Sequence, residues 1–337
     1  MPETDSVPRL RHGRRPCAKR LKGAIWVDER SRGGDALAAL TRREQELGRL
    51  SFSFMLDQAT LGIGGLSCLD SILIMAINQA NIAPLTHEPL TRIRHGRLET
   101  PAPDARRRPV SINAVANSLR MPFETVRRHV RRLEGRGACA TLPGGVIVPE
   151  TYLGSPAYVE GVMNSHRRLV AFFHQANAAG LVEPLPRSAY PPESSIPVRA
   201  AARLLADYVL RTTDRLLAVV DDVASAIVLL AVLTAPTGRT TVAETAQRLG
   251  MPAETVRRHM KVLLEQGQVL RINSGLVAPY EAMERPVWQA FLRDNAVNVQ
   301  RLFAGLAERG VIEAWGRLMP PAVDEALNPA RLAPPSR

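Results

Sequence analysis

The chain has 337 residues, of which 45% are hydrophobic and 23% charged, and this is the composition of a globular protein with enough apolar residues for two or three cores. Aromatic residues make up only 4%, which favours helices packed through aliphatic side chains over a sheet-rich fold. The formal net charge of +12 indicates a polyanionic partner, nucleic acid first, although a genome that encodes arginine freely would also raise it.

The N-terminal segment is strongly basic. Residues 1–34 hold nine Lys or Arg against four acids, and they predict a disordered arm that either follows DNA phosphates or is simply solvated. The first 25 residues lack the apolar core of a signal peptide. Cys17, Cys68 and Cys139 share no motif spacing, as expected of reduced thiols in a cytoplasmic protein.

Two apolar runs, near 61–77 and 216–235, raise the question of a membrane. Asp70 interrupts the first run, and Asp221 and Asp222 interrupt the second. Each remaining apolar piece is too short to span a bilayer, so both runs predict buried helices and no membrane partner.

A repeat governs the rest of the chain. The string ETVRRH occurs at 124–129 and at 254–259, and around it residues 111–149 align with 241–279 without a gap at an offset of 130. Of these 39 aligned positions 14 are identical. The repeat predicts a tandem domain duplication whatever the function is.

Upstream the offset grows to about 155, where SILIMAI (71–77) matches AIVLLAV (226–232). The first copy therefore carries an insertion of about 25 residues within 84–109. Six arginines among Pro, Thr and Ala, including Arg106, Arg107 and Arg108, predict a mobile basic loop that reaches a neighbouring groove or phosphate.

Periodicity and Pro/Gly punctuation predict the same elements in each copy. An aliphatic helix is followed by a short β-prone stretch, a helix, a tight Met-Pro turn, a second helix, a hairpin around a Gly-containing turn, and a long Pro-started amphipathic helix. The predicted ranges are 69–82, 113–120, 123–135, 138–148 and 156–178 in the first copy, and 224–234, 243–249, 253–266, 268–278 and 286–308 in the second.

The pattern A-x-x-L-x-M-P-x-E-T-V-R-R-H-x-x-x-L-x-x-x-G followed by a hairpin resembles the heads of bacterial winged helix-turn-helix transcription regulators, with the GntR, MarR and IclR groups nearest. The resemblance covers about 140 residues and assigns no single family. It implies a mainly α fold with small β-wings, in which two tandem winged helix-turn-helix domains are each flanked by long helices. In such heads the second helix of the pair enters the DNA major groove.

Helical geometry divides that second helix into two faces. Val126, Val130 and Leu133 fall on one stripe that would face the core, as do Val256, Met260 and Leu263. The opposite face carries arginines that can bind guanine or phosphate, and a threonine in the first turn that can bind phosphate. The candidate DNA-binding residues here are Glu124, Thr125, Arg127, Arg128, Arg131, Glu254, Thr255, Arg257, Arg258 and Lys261. The alternative is that the arginines are only solvated surface residues.

Two residue types of this helix have other expected roles. Glu124 and Glu254 could accept from cytosine, but capping of the helix N-terminus is the preferred role. His129 and His259 are expected to buttress the core stripe or bond to backbone rather than touch a base or a metal.

The two predicted hairpins differ in chemistry. Arg271 and Asn273 in the second hairpin could contact the minor groove or the DNA backbone, whereas the tip of the first hairpin carries no positive charge. Residues 113–137 hold six Arg against two acids, while 243–267 hold three Arg and one Lys against three acids. The first head is therefore expected to supply more of the affinity for DNA.

The long apolar helices beside each head predict association. They could form a pseudo-twofold dimer within one chain, so that each head reads one half of a pseudo-palindromic site, or join two chains with four heads. The expected segments are a basic arm at 1–34, a first unit at 35–183 (head 70–150, flanking helix 156–179), a linker at 184–199, a second unit at 200–313 (head 225–280, flanking helix 286–309) and a Pro-rich unstructured tail at 314–337.

No catalytic motif is expected. LGIGGLS (61–67) lacks the Lys and Ser/Thr of a phosphate-binding loop, and the histidines and cysteines form no metal motif, so neither a cofactor nor a metal is predicted. The favoured function is a cytoplasmic, nucleoid-associated bacterial regulator that binds double-stranded DNA, with any effector unknown. The alternatives are a replication initiator, a partition-type protein or a protein-binding scaffold.

Overall fold

The computed structural model describes residues 39–63, 65–86, 88–192, 195–273 and 275–318, and they are mainly helical with two short hairpins. The helices are α1 (Arg42–Leu61), α2 (Cys68–Ile82), α3 (Pro89–Arg94), α4 (Ile112–Ser118), α5 (Phe123–Glu134), α6 (Glu150–Leu153), α7 (Pro156–Ala178), α8 (Val198–Leu216), α9 (Val223–Leu233), α10 (Val242–Leu249), α11 (Ala253–Glu265), α12 (Tyr280–Met283), α13 (Pro286–Glu308) and α14 (Val311–Leu318). The strands are β1 (Ala140–Leu142), β2 (Gly145–Ile147), β3 (Leu270–Ile272) and β4 (Gly275–Val277).

Local sequence signals account for where the helices begin. Thr41 caps α1, since its Oγ1 accepts from the Glu44 N–H and its own N–H donates to the Glu44 carboxylate, and Thr241 with Glu244 does the same for α10. Pro156 and Pro286 start α7 and α13, where a missing N–H costs nothing.

The same order of elements occurs twice. We call α2, α4, α5, β1 and β2 the first head, and α9, α10, α11, β3 and β4 the second head. In each head the aliphatic helix packs on the two shorter helices and on the second strand of the hairpin. Antiparallel pairing joins Thr141 to Val146 and Arg271 to Leu276. In each head one residue of the segment before the first short helix, Val110 or Thr240, forms a single antiparallel β-bridge to the second strand of the hairpin.

The long helices cross between the two halves of the chain. Helix α1 packs on α7, α9 and α13, and helix α8 packs on α13, α2 and α7. Exchanging α1 with α8, α2 with α9 and α7 with α13 leaves this set of contacts unchanged. The contacts therefore have the pattern of a twofold axis within one chain, although each half also holds elements that the other lacks.

One continuous core fills the space between these helices. Phe52 of α1 stacks on Phe291 of α13 with ring centroids 6.0 Å apart, and Phe54 stacks on Phe172 of α7 at 4.3 Å. A buried polar link accompanies them, since the Asn295 amide donates to Ser51 Oγ at 2.9 Å. The buried cluster extends through both heads, so α1 and α8 join the two halves instead of covering only their own.

The insertion at 84–109 is not the mobile loop that its composition predicts. It forms α3 and two 3₁₀ turns, Ala83–Thr86 and Asp104–Arg106. Ala102 is 1% exposed and Arg107 is 6% exposed, so part of the basic segment turns into the protein. Composition alone misleads here because the Ala102 carbonyl and the Asn78 amide, which the fold places beside Arg107, accept from its guanidinium.

The chain ends also depart from expectation. Residues 314–318 belong to α14, whose Trp315 is buried, so the expected unstructured tail begins inside a helix. Helix α8 begins at Val198, two residues inside the expected linker. The basic arm at 1–34 and the tail from 319 onward lie outside the described residues.

One described segment, Cys68–Thr86, is long and apolar enough to cross a membrane by length and composition alone. A buried helix of a globular core passes the same test. Here Leu73, Ile74 and Ile77 of this segment are at most 1% exposed because they pack inside the protein.

Candidate DNA-binding surface

Helices α5 and α11 separate an apolar face from a basic face, as their periodicity predicts. Val126, Val130 and Leu133 of α5 are at most 1% exposed. On α11 the corresponding Val256, Met260 and Leu263 are also buried. Burial of these side chains fixes the rotation of each helix, so the residues between them face solvent.

The exposed cations fall into two groups. Arg127 donates through Nε and Nη2 to Glu124 at 2.8 and 2.5 Å, and Arg257 pairs with Glu254 through Nη1 alone, also three residues apart. The bonds from Arg127 lower the pKa of the Glu124 carboxyl below its ordinary value. Each of the two arginines therefore has an acid beside it that offsets part of its charge, in an exposed pair of small energy.

Glu124 and Glu254 lie in the first turns of α5 and α11, as their expected role requires, but neither makes a capping hydrogen bond among the described residues. The N-caps of α5 and α11 are Pro122 and Pro252, and no side chain caps either helix. Since a proline has no side-chain acceptor, the first-turn N–H groups lack a side-chain partner and are suited to a phosphate oxygen. Thr125 and Thr255 lie half-buried in that first turn.

The second group consists of cations on the same face that keep most of their charge. Arg128, Arg131 and Arg258 are exposed and have no acid within ion-pair distance among the described residues. Lys261 lies 3.8 Å from Glu265, an exposed pair of small energy. These four side chains are the available donors of the two helices.

The tight turns before α5 and α11 use different residues for one backbone shape. Gly250 has φ 60 and Arg120 has φ 50, so both are left-handed. Glycine adopts a left-handed φ without strain, whereas in arginine the Cβ makes this conformation sterically unfavourable and other contacts must offset the cost. Arg120 Nη2 bonds Asp214 of α8 at 2.7 Å, which ties the turn of the first head to the second half of the chain.

The hairpins project beside these helices. Arg271 and Asn273 are exposed on the second hairpin, and Asn273 occupies its turn with φ 52. In the first hairpin Gly145 is required, because a Cβ there would lie 2.3 Å from the carbonyl oxygen of Val110. The exposed tip at Leu142 offers no charge, as the sequence indicates.

The histidines buttress the heads through partners that the sequence analysis missed. His129 Nδ1 lies 2.8 Å from Asp70 Oδ1, and Arg132 Nη2 bonds both oxygens of the same carboxylate. Burial would raise the pKa of Asp70, but the bonds from His129, Arg132 and Ser67 lower it to about 2. A buried anion thus joins α5 to the start of α2.

The second head makes an equivalent link with exchanged residues. His259 Nδ1 lies 2.9 Å from Ser225 Oγ, which itself donates to Asp222 at 2.6 Å. At the offset of 155, Asp70 aligns with Ser225 and Ser67 aligns with Asp222. Serine and aspartate have exchanged positions around a constant histidine, and this alternation was the signal available in the sequence.

Cys68 and Cys139 are free thiols, and burial raises the pKa of each to about 12. Within the described residues no group of three or more His, Cys, Asp or Glu side chains is arranged to hold a metal ion.

Comparison with known proteins identifies part of this surface. Residues 228–269 match the family model of the winged helix-turn-helix DNA-binding domain. The match runs from α9 through α10 and α11 to the start of the second hairpin, so that stretch is a winged helix-turn-helix domain. A search of curated proteins finds no match to the chain, and neither does a search of solved structures.

Proposed function

We propose that the chain is a bacterial transcription regulator that binds double-stranded DNA sequence-specifically through two winged-helix heads. The observation that carries the proposal is the winged helix-turn-helix domain at 228–269, whose α11 presents the exposed cations Arg258 and Lys261 opposite a buried stripe. The first head has the same order of elements, and its α5 presents Arg128 and Arg131 at the matching positions. Such a protein acts at the nucleoid, in the cytoplasm.

The contacts of the long helices support the proposal that the two heads bind one DNA site together. Helices α1 and α8 each pack on both halves of the chain, so the two heads are carried by one rigid core. Two heads held by an internal twofold relation fit a pseudo-palindromic site whose halves lie about one turn of DNA apart. One chain then supplies what two subunits supply in a homodimer.

Selection of bound duplexes from random DNA tests the proposal. The wild type is compared with Arg128→Ala/Arg258→Ala and with a control, Arg167→Ala/Arg211→Ala, which removes the same charge from exposed positions of α7 and α8. A two-part motif is expected for the wild type and the control. In the first variant enrichment is lost, and the log–log salt slope falls by about two.

Two other outcomes identify the alternatives. If no motif is enriched and both double variants bind alike, the heads serve a protein-binding scaffold and the basic charge is unspecific. If the motif maps to an origin or a repeat array and not to promoters, the protein is an initiator or partition factor.

The first head is proposed to contribute more affinity than the second. It has two exposed unpaired arginines on α5, Arg128 and Arg131, whereas α11 has Arg258 and the partly paired Lys261. Binding measured by fluorescence anisotropy is expected to weaken more for Arg128→Ala than for Arg258→Ala. Equal losses would contradict the asymmetry.

A further inference from the structure

A cavity lies between α2, α7, α8 and the insertion, away from the DNA-binding surface. Its water-accessible volume is about 70 Å³, which is room for about five to seven water-sized positions. Apolar side chains form much of the wall, among them Ile74, Val162, Leu169 and Val209. An apolar ring or short chain would be in contact on several sides.

Three arginines line the same cavity. Arg107 of the insertion bonds the carbonyl oxygen of Ala102 and the Asn78 amide oxygen. Arg199 of α8 bonds the carbonyl oxygens of Leu98 at 2.7 Å and Leu153 at 3.0 Å. One turn later, Arg203 Nη2 bonds the carbonyl oxygen of His95 at 2.7 Å.

The positive charges of this wall exceed its negative charges. Arg107 lies 3.5 Å from Asp104, but Arg199 and Arg203 have no acid within ion-pair distance in the described part of the chain. Burial raises the pKa of Tyr158, which also lines the cavity, so its phenol stays neutral and is no counter-ion. Burial, with repulsion from Arg199 and other arginines, lowers the pKa of Arg203 to about 10.

Buried cations without acids are costly unless an anion accompanies them. A further donor is present, since His166 lines the cavity and its Nε2 accepts from Trp315 Nε1 at 3.0 Å. The neutral ring therefore carries its hydrogen on Nδ1, which is buried and has no partner among the described residues. The cavity therefore has the cationic donors of three arginines and the neutral donor of His166 beside an apolar wall.

We propose that this cavity binds a small organic acid, with an apolar body against Ile74 and Leu169 and its anionic group on Arg107, Arg199 and Arg203. Arg107 belongs to the insertion that the second half lacks, so this set of three arginines is not repeated in the second half. A planar, always-charged guanidinium recognises carboxylate or phosphate through paired bonds.

Occupancy of the site is coupled to DNA reading, a step that depends on the proposed function. Helix α2 lines the cavity with Ser71, Met75 and Asn78, and its neighbouring Asp70 holds His129 and Arg132 of α5. An acid that shifts α2 therefore shifts the basic helix of the first head. By linkage, DNA must change the affinity for the acid by the same factor.

Calorimetric titration of the full chain tests the site without DNA. The probes are benzoate and phenyl phosphate, their neutral counterpart benzamide, and inorganic phosphate, which lacks an apolar body. Saturable binding with one site per chain is expected for benzoate or phenyl phosphate, with the stronger probe distinguishing carboxylate from phosphate. Benzamide and inorganic phosphate are expected to bind at least about tenfold more weakly.

Three variants locate the binding. Arg203→Met and Ala206→Leu, the second of which fills the cavity and keeps every charge, are expected to weaken binding at least about tenfold. Arg211→Met removes an exposed arginine from the same helix and is expected to bind like the wild type. If Arg203→Met fails to fold, as judged by circular dichroism, Ala206→Leu decides.

The proposal is overturned if benzamide binds as well as benzoate, if Ala206→Leu binds the acid unchanged, or if neither acid binds at millimolar concentration. Repeating the titration with the selected duplex tests the coupling separately. Acid binding with no effect of DNA would overturn only the coupling. Absence of DNA binding by the wild type would overturn the proposed function and the coupling with it, but not the acid site.

Discussion

At the residue scale, ion pairing distinguishes two neighbouring arginines of α5 that are proposed to bind DNA. Arg127 and Arg128 are adjacent in sequence and equal in charge. Arg127 bonds Glu124 through two nitrogens, while Arg128 is exposed and has no acid within ion-pair distance among the described residues. Their contributions to DNA binding should therefore differ.

Two variants measure that difference. Arg128→Ala is expected to weaken DNA binding about tenfold at low salt and to lower the log–log salt slope by about one. The double variant Glu124→Ala/Arg127→Ala removes the ion pair without changing net charge, and its slope should equal that of the wild type. An equal loss of slope in both variants would mean that the pair opens on DNA.

A buried histidine makes stability depend on pH. Burial, with a smaller effect of Arg167, lowers the pKa of His166 from 6.5 to about 4. Between these values the unfolded chain binds a proton that the folded chain does not, so stability is complete above pH 6.5 and falls as the pH drops towards 4. The expected loss is about 3 kcal/mol.

Urea unfolding at a series of pH values measures this loss. His166→Phe removes one titrating group and is expected to reduce the slope of the curve between pH 6.5 and 4, leaving the part due to His95, whose pKa is also lowered by burial. Asp70, with its pKa lowered from 3.8 to about 2, contributes only at lower pH. A curve of unchanged shape in the variant would assign the acid sensitivity to other groups.

At the element scale, α5 is positioned by one buried carboxylate as well as by its apolar stripe. Asp70 is 2% exposed and holds both His129 and Arg132. In the second head Ser225 and Asp222 contact the corresponding His259, and Asp222 is more exposed than Asp70. The two heads thus have the same architecture with different electrostatics at the base of the basic helix.

Removing that carboxylate should be costly. Asp70→Ala is expected to lower the free energy of unfolding by about 3 kcal/mol, because two bonded partners lose a buried anion. Asp57→Ala, which breaks the exposed pair with Arg168, should cost less than about 1 kcal/mol. Chemical denaturation of both variants measures these losses. Equal losses of unfolding free energy would show that the apolar stripe alone positions α5.

At the scale of the whole molecule, the two halves share one core. Helix α9 is almost entirely buried, and part of its cover is α1, which lies more than 150 residues earlier in the chain. Helix α2 is covered by α8 in the same way. Neither half can bury its own apolar surface alone.

The full chain is therefore expected to unfold in one cooperative transition, with equal calorimetric and van't Hoff enthalpies. A fragment of residues 198–318 should lack a cooperative transition, since separation exposes α9 and one side of α13. Two resolved transitions in the full chain, or a stably folded fragment, would show that the halves are independent domains.

The sequence by itself determined the repeated elements. Their predicted helix and hairpin ranges agree with the structure to within about two residues, because periodicity, Met-Pro turns and Gly punctuation are local signals. The mainly helical fold and the winged helix-turn-helix domain at 228–269 are confirmed. The buried stripe of α11 follows from spacing alone.

Only the tertiary structure decided which charges face solvent and which turn inward. Arg106 and Arg108 are exposed while Arg107 between them is buried, and no local pattern separates them. The partners of Arg132, Arg199 and Arg203 lie dozens of residues away along the chain. An arginine donates to water at the surface or to distant carbonyl and carboxylate groups inside, and only the fold brings those groups within reach, so its place is set by the fold.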